Sequence, residues 1–340
     1  MFAEYTFDAM TKTLYETALN RPLAILVHAR PDGDCVGSGF ALKALLAAVG
    51  CESRVVCQDR LPERLKFIAK GDQDDISAES AGERFAPGSG VPAIALDVAA
   101  PEQLGTLNGK YDIVLSVDHH RSSVAVSDRY LDAGASATGE IIWRIARAWL
   151  RFGYISEIPR KTAEAAYAAI SSDTGCFRYS NVTAATHRIA AKLIEIIPDH
   201  AEIDRLLFEV KTEGRLKAEK AALEALRLYD GGRISVCPMS AETFRSLGIE
   251  PEELDALIDV ARSSIDVELA FSIREEGPGR YRVSARSNVN ADVSELCARF
   301  GGGGHARAAG CELQAKDIED AVGKILAAAR ELKVERSEQK

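Results

Sequence analysis

The chain has 340 residues, of which 46% are hydrophobic and 27% charged, and its formal net charge is −9. That length predicts about two domains and a sizeable core, and the composition excludes a globally disordered chain. The acidic balance excludes the basic footprint of a long-duplex binder, but it leaves room for a small anionic substrate held by metal ions or a local basic pocket.

In chain order, Leu23–His28 reads as a buried strand, Gly37–Gly50 as a helix and Arg54–Cys57 as a second strand. Ile94–Asp97 and Ile113–Val117 are further short apolar strands, and Gly139–Leu150 and Thr162–Ser172 read as helices. Such alternation predicts a mostly parallel sheet with helices on both faces. From Thr186 to Tyr229 the texture is helical, until Asp230-Gly231-Gly232 breaks it. A strand at Arg233–Val236 and a short helix at Glu252–Val260 follow. Strands at Val267–Ile273 and Tyr281–Ala285 flank Glu275–Gly279, read as a hairpin loop. A helix over Asp317–Leu332 precedes a polar end, Val334–Lys340. The expected architecture is α/β: an N-terminal parallel-sheet domain over 1–190, a helical linker over 191–229, and a smaller C-terminal α/β substrate-binding domain over 230–335.

No apolar run reaches the roughly 18 residues of a membrane span. The N-terminus, with Glu4 and Asp8, lacks the pattern of a secretory signal. The seven cysteines form no Cys-x-x-Cys pair, so the expectation is a cytoplasmic protein with buried thiols and no membrane contact.

Four clusters of carboxylates and histidines fall at the ends of these elements. They are His28-Ala-Arg-Pro-Asp32-Gly-Asp34, Asp97, Asp118-His119-His120, and Asp173. Alone, Asp97 reads as a turn former and Asp32-Gly33 as a turn. Two adjacent histidines after an apolar strand lack a purely structural reason. In an open parallel sheet, ligands bind at the carboxyl ends of the strands, where three of the four clusters lie. Carboxylate oxygen with imidazole suits Mn²⁺ or Mg²⁺ better than a structural zinc, and two such ions form a clamp for in-line attack on phosphorus. His187 and His200 sit in a charged helical region and stay outside this set. In the C-terminal half, Gly301-Gly302-Gly303-Gly304-His305-Ala306-Arg307 strips away side chains and then adds donors and positive charge, which suits a phosphate. Arg286 and Ser287 end a predicted strand and are weaker candidates for the same pocket.

Taken in order, these residues resemble the DHH family of phosphoesterases over nearly the whole chain. His28-x-x-x-Asp32-x-Asp34, Asp97, Asp118-His119-His120 and Asp173 match its metal motifs, and Gly301–His305 with Ala308-Ala309-Gly310 resembles the DHH-associated nucleotide-binding domain. Within the family, the length and short linker are most similar to the bifunctional oligoribonucleases and pAp phosphatases. The resemblance implies one metal at His28, Asp32 and Asp97, and a second at Asp34, Asp97, His119 and Asp173. The ion is expected to be Mn²⁺, with Mg²⁺ as the alternative. It further implies that Asp118 orients the histidines and that His120 touches the scissile phosphate. Gly302, Gly303, Gly304 and His305 would bind the substrate's phosphate or terminal nucleotide, with Arg286, Arg307 and Arg178 as helpers. Expected substrates are short RNA oligonucleotides and 3′-phosphoadenosine 5′-phosphate (pAp), not long duplex DNA. A helix exposed in Thr186–Tyr229 could mediate a homodimer, and interdomain packing explains its amphipathic spacing equally well. The alternatives are a linear-dinucleotide (pApA or pGpG) phosphodiesterase and a non-catalytic nucleotide-binding regulator.

Overall fold

The structure, a computed structural model, describes residues 2–71, 73, 75–248 and 256–332. The chain divides into two compact units, Met1–Val210 and Lys211–Lys340.

The first unit begins with α1 (Phe7–Asn20), β1 (Leu23–Leu26), α2 (Gly33–Ala47) and β2 (Ser53–Val56). Short helices α3 (Lys66–Ala69) and α4 (Gly82–Phe85) lead to β3 (Pro92–Leu96), β4 (Asp112–Asp118) and β5 (Arg129–Leu131). Four helices follow: α5 (Thr138–Arg151), α6 (Arg160–Asp173), α7 (Ala184–Ile194) and α8 (His200–Phe208). The five strands are all parallel, in the order β2-β1-β3-β4-β5. β1 and β3 are buried along their whole length, as strands covered on both faces must be. The amino ends of β3 and β4 are reached by exposed turns: Gly88–Gly90 before β3, with both glycines at positive φ, and Asn108–Lys110 before β4.

The expected alternation of strand and helix is present, with three differences of boundary. α2 starts at Gly33 rather than Gly37, because the Asp32 carboxylate accepts from the amides of Asp34 and Cys35, both at 3.0 Å, and caps the helix earlier. Asp34 therefore lies in the first helical turn. Arg227–Tyr229 is a strand, not the end of the helical stretch. The hairpin in the second unit is also tighter than the loop expected at Glu275–Gly279. Its strands run on through Glu275 and turn at Pro278-Gly279, where Gly279 takes φ 70°.

Where α2 meets α6 the backbones touch. A Cβ on Gly37 would stand 2.6 Å from the Ala165 carbonyl oxygen and 2.8 Å from the Ala169 Cβ. The alanine-rich face of α6 thus lets α2 approach as closely as helices can.

The second unit contains α9 (Glu213–Ala225), β6 (Arg227–Tyr229), β7 (Ile234–Met239), α10 (Ala241–Leu247) and α11 (Ala256–Ala261). β8 (Leu269–Gly277), β9 (Arg280–Ser287), α12 (Val293–Ala298), β10 (Gly303–His305), β11 (Ala308–Gln314) and α13 (Ile318–Glu331) complete it. Its six strands are ordered β10-β11-β9-β8-β7-β6, antiparallel except for β7 on β8. Inward residues of β8, β9 and β11 share one apolar core with residues of α12 and α13, and a second cluster joins α9 and α11 to β7. Residues 252–255 of the helix expected at Glu252–Val260, and the Val334–Lys340 terminus, lie outside the described residues. Among the described residues, no helix is long and apolar enough to cross a membrane.

Candidate metal centre

The order β2-β1-β3-β4-β5 reverses direction between β1 and β3, and the crevice outside the carboxyl ends of those strands is where such sheets bind ligands. His28 follows β1, Asp97 follows β3, and Asp118 ends β4 with His119 and His120 behind it. α2 carries Asp32 at its cap and Asp34 in its first turn, and α6 delivers Asp173 at its last residue. Asp97 leaves the sheet with φ 59°, a left-handed conformation that Asp tolerates better than most residues and that is often kept at functional sites.

The structure brings all of these side chains together. Asp97 faces two ways: its Oδ2 lies 3.7 Å from His28 Nε2, and its Oδ1 lies 3.6 Å from His119 Nε2. His28 Nε2 is also 3.6 Å from Asp32 Oδ2. His119 Nε2 is 3.7 Å from both Asp34 Oδ2 and Asp173 Oδ2. These separations are too long for hydrogen bonds, yet they suit donors that each stand about 2.1 Å from a shared cation. The imidazoles are turned for that purpose. His28 Nδ1 donates to the Ala29 carbonyl at 2.9 Å and His119 Nδ1 to the Ala135 carbonyl at 3.3 Å. A carbonyl can only accept, so each Nδ1 holds the proton and each Nε2 presents a lone pair to the carboxylates.

Charge in the cluster points the same way. Burial lifts Asp97 well above the usual carboxylate range, and the charges of Asp34, Asp32, Asp118 and Asp173 lift it further. Asp173 is pushed up to about 8, first by burial and then by Asp34 and Asp32. Burial raises Asp34 too, although His119 opposes it. Carboxylates crowded out of water repel one another, and a divalent cation relieves that repulsion. Cys35 lies within ligand reach of His28 and Asp32, but burial and the charges of Asp32 and Asp97 keep it a thiol, a poor partner for a hard cation. The donor set therefore fits hard divalent ions.

His120 is placed differently. Its Nδ1 bonds Asp118 Oδ1 at 2.8 Å, and the same oxygen accepts from the amides of His119 at 2.8 Å and His120 at 3.1 Å. That bond to Asp118 raises the imidazole, against the opposing effect of burial. Arg178 donates from Nε to the Gly175 carbonyl, and its guanidinium lies 5.9 Å from the Phe208 ring centroid. His187 stacks on Phe177, and His200 meets Tyr167 edge-on, so both are engaged in ring contacts.

Several residues that hold the cluster in place were not among the sequence candidates. The N-terminus of α5 donates two backbone amides to Asp34: Thr138 N to Oδ2 at 2.7 Å and Gly139 N to Oδ1 at 3.0 Å. Ser38 Oγ donates to Asp34 Oδ1 at 2.9 Å, and Thr138 Oγ1 donates to Asp97 Oδ1 at 2.9 Å. Asn181 Nδ2 donates to the Asp173 carbonyl at 3.1 Å and its Oδ2 at 3.3 Å. The signal available for Thr138-Gly139 was a helix start after a strand, which attracts carboxylates through its free amides. Asn181 left no such signal.

In the second unit the glycine run is built into the sheet. Gly303–His305 is an edge strand paired with Ala308–Gly310, and Ala306-Arg307 forms the tip. A Cβ on Gly302 would stand 2.2 Å from the Gly310 carbonyl oxygen, so the glycine is required for close backbone approach. The tip is tied to the end of β9 and the start of α12: Ser287 N donates to the Arg307 carbonyl at 3.1 Å, and Val293 N to the Ala306 carbonyl at 2.8 Å. Buried Glu268 holds the intervening turn, its Oε1 accepting from Ser287 Oγ at 3.1 Å and from the amides of Asn290 and Ala291 at 3.0 Å. Arg286 stands beside the hairpin, opposite Ala308 in register. The side chain of His305 lies outside the described residues.

The DHH family N-terminal domain matches residues 22–170, and the DHHA1 domain matches residues 235–333. The chain belongs to the DHH family, with a DHHA1 domain in its second unit. It is 29% identical over 318 residues to the bifunctional oligoribonuclease and PAP phosphatase NrnA of Thermus thermophilus, covering 92% of this chain and 91% of that one. The protein of the same name from Bacillus subtilis is 25% identical, covering 92% and 94%. The fold is also that of an exopolyphosphatase-related protein from Bacteroides fragilis, with a TM-score of 0.84 at 21% identity over 95% of this chain and 96% of the other.

Proposed function

We propose that this DHH-family chain hydrolyses phosphoesters, degrading short RNA oligonucleotides to mononucleotides and converting pAp to AMP. The observation that carries the reading is the convergence of carboxylates and lone-pair imidazoles at the carboxyl ends of β1, β3 and β4. The names of the relatives that span nearly the whole chain support the choice of substrates. In this reading His28, Asp32 and Asp97 hold one divalent cation, and Asp34, Asp97, His119 and Asp173 hold the second. Mn²⁺ is the proposed ion and Mg²⁺ the alternative. When bound, such ions lower the pKa of water and offset charge on phosphoryl oxygens.

The remaining steps belong to the chain's own residues. Asp118 fixes the His120 ring and favours its imidazolium form, in which Nε2 can donate to a phosphoryl oxygen as charge develops there. Thr138 and the amides of α5 lock Asp97 and Asp34 in place, which limits the reorganisation that the reaction needs. In the second unit, Gly302–Gly304, His305, Arg286 and Arg307 bind the terminal nucleotide; in the first unit, Arg178 is a further candidate for holding substrate. Residues 1–190 are assigned to catalysis and 230–335 to nucleotide binding, with 191–229 as the helical connection, whose α9 and β6 pack within the second unit. It places the activity in the cytoplasm, in keeping with seven cysteines held as free thiols.

The test is release of phosphate from pAp, and of mononucleotides from an RNA trimer, with Mn²⁺ and then with EDTA. Metal-dependent turnover of both substrates is expected. Turnover of the trimer alone would replace the bifunctional reading with a dedicated oligonucleotide or dinucleotide hydrolase. Inactivity on both, in folded protein, would overturn it.

A further inference from the structure

β9 has two unlike faces. Tyr281, Val283 and Ala285 enter the apolar core with α12 and α13, while Arg282, Ser284 and Arg286 alternate onto the other face and are half-buried. Register extends that second face across the sheet. Ser284 stands between Ser272 on β8 and Gly310 on β11, and Gly310 faces Gly303 on β10. A row of minimal side chains thus crosses β8, β9, β11 and β10. Arg286 flanks it on the side of the glycine hairpin, and Arg282 on the other. The two arginines are four residues apart on one strand, or about 13 Å.

Arg282 is the unusual member of this row. It is a half-buried cation, and its guanidinium makes no hydrogen bond or ion pair with any described residue. Of its cross-strand neighbours, Arg274 is held by Glu276 at 3.4 Å, and Glu312 is exposed. Folding has half-removed a charge from water here without supplying a partner. Arginine with open donors is suited to bidentate contact with a phosphate.

We propose that Arg282 is a second phosphate-binding residue of the nucleotide-binding unit. It takes the phosphate one nucleotide beyond that held at Arg286, with the intervening nucleoside lying along the small-residue row. This rests on the reading above that Arg286 and the hairpin hold the terminal nucleotide. pAp carries two phosphates, one of which is the reacting group. A 5′-phosphorylated RNA trimer carries a third, and Arg282 is the residue that detects it. Arg282 therefore lets the enzyme sense substrate length.

The experiment compares wild type with Arg282→Ala and Arg282→Lys, in the full chain with Mn²⁺. Arg282→Ala is expected to raise KM for the 5′-phosphorylated trimer about tenfold more than KM for pAp, with kcat for the trimer little changed and Arg282→Lys recovering part of the loss. Equal shifts for both substrates, or none, would overturn the inference. Binding of the same trimer in EDTA, followed by calorimetry, gives an arm independent of turnover, in which Arg282→Ala should weaken the trimer at unchanged melting temperature. If wild type binds the trimer in this Arg282-dependent way but hydrolyses neither substrate, the catalytic reading fails and this one stands. If wild type hydrolyses both and Arg282→Ala matches it throughout, the length sensor fails alone.

Discussion

The backbone of Asp97 lies at φ 59°, and its two carboxylate oxygens face different imidazoles. Asparagine tolerates that conformation and keeps the side-chain shape, whereas other replacements add backbone strain. Asp97→Asn is therefore expected to reduce hydrolysis by about 100-fold or more, with the melting temperature held within a few degrees. Activity near wild type would remove Asp97 from its proposed place between two cations. Thr138→Val deletes the hydroxyl that donates to Asp97 while conserving volume, and a Mn²⁺ titration should show affinity falling by roughly tenfold. The acids and histidines were legible in the sequence because their chemistry resides in the side chain and strand ends collect it. Thr138 was not, since its partner is 41 residues upstream and a threonine at a helix start reads as ordinary capping.

Elements were legible where burial dictated them. β1 and β3 announce themselves as apolar runs, and α6 as an alanine-rich helix. The errors occur where one side chain or one close contact decides. Asp32 starts α2 four residues before the apolar pattern does. Gly303 and Gly304 form an edge strand although glycine is poor in strands, because at Gly304, as at Gly302, what matters is how near two backbones can come. Glu268 behaves in the same manner: nothing in its neighbourhood in sequence marks it, yet three donors depend on one of its oxygens. Glu268→Leu would leave the Ser287 hydroxyl and the Ala291 amide buried without that acceptor. At about 1–3 kcal/mol for each unsatisfied group, it should lower the unfolding free energy by about 3 kcal/mol or more in urea. Glu268→Gln, which keeps an acceptor, should lose much less; equal losses in the two variants would show that shape and not hydrogen bonding is what the turn requires.

On the scale of the whole chain, each unit has its own apolar cores. The proposed cation donors all lie in the first unit. Calorimetry is expected to resolve two transitions, with Mn²⁺ raising only the one that belongs to the first unit and EDTA reversing it. A shift of both alike would show that the units melt together. The parallel character of the first sheet could be read from its alternation, but the order β2-β1-β3-β4-β5 could not, because that order is settled by which helices cover which face.

That sheet also has a second end. The amino ends of β3 and β4 are met by turns of exposed residues, Gly88–Gly90 and Asn108–Lys110, with open space around them, although the positive φ of Gly88, Gly90 and Gly109 keeps those three positions for glycine. From Gly90 to Asp97 the chain crosses the five residues of β3, about 17 Å of extended backbone. Chain can be lengthened at that edge, or a fluorophore attached to it, without displacing a single donor, so the protein offers a handle for watching the chemistry from the side that takes no part in it.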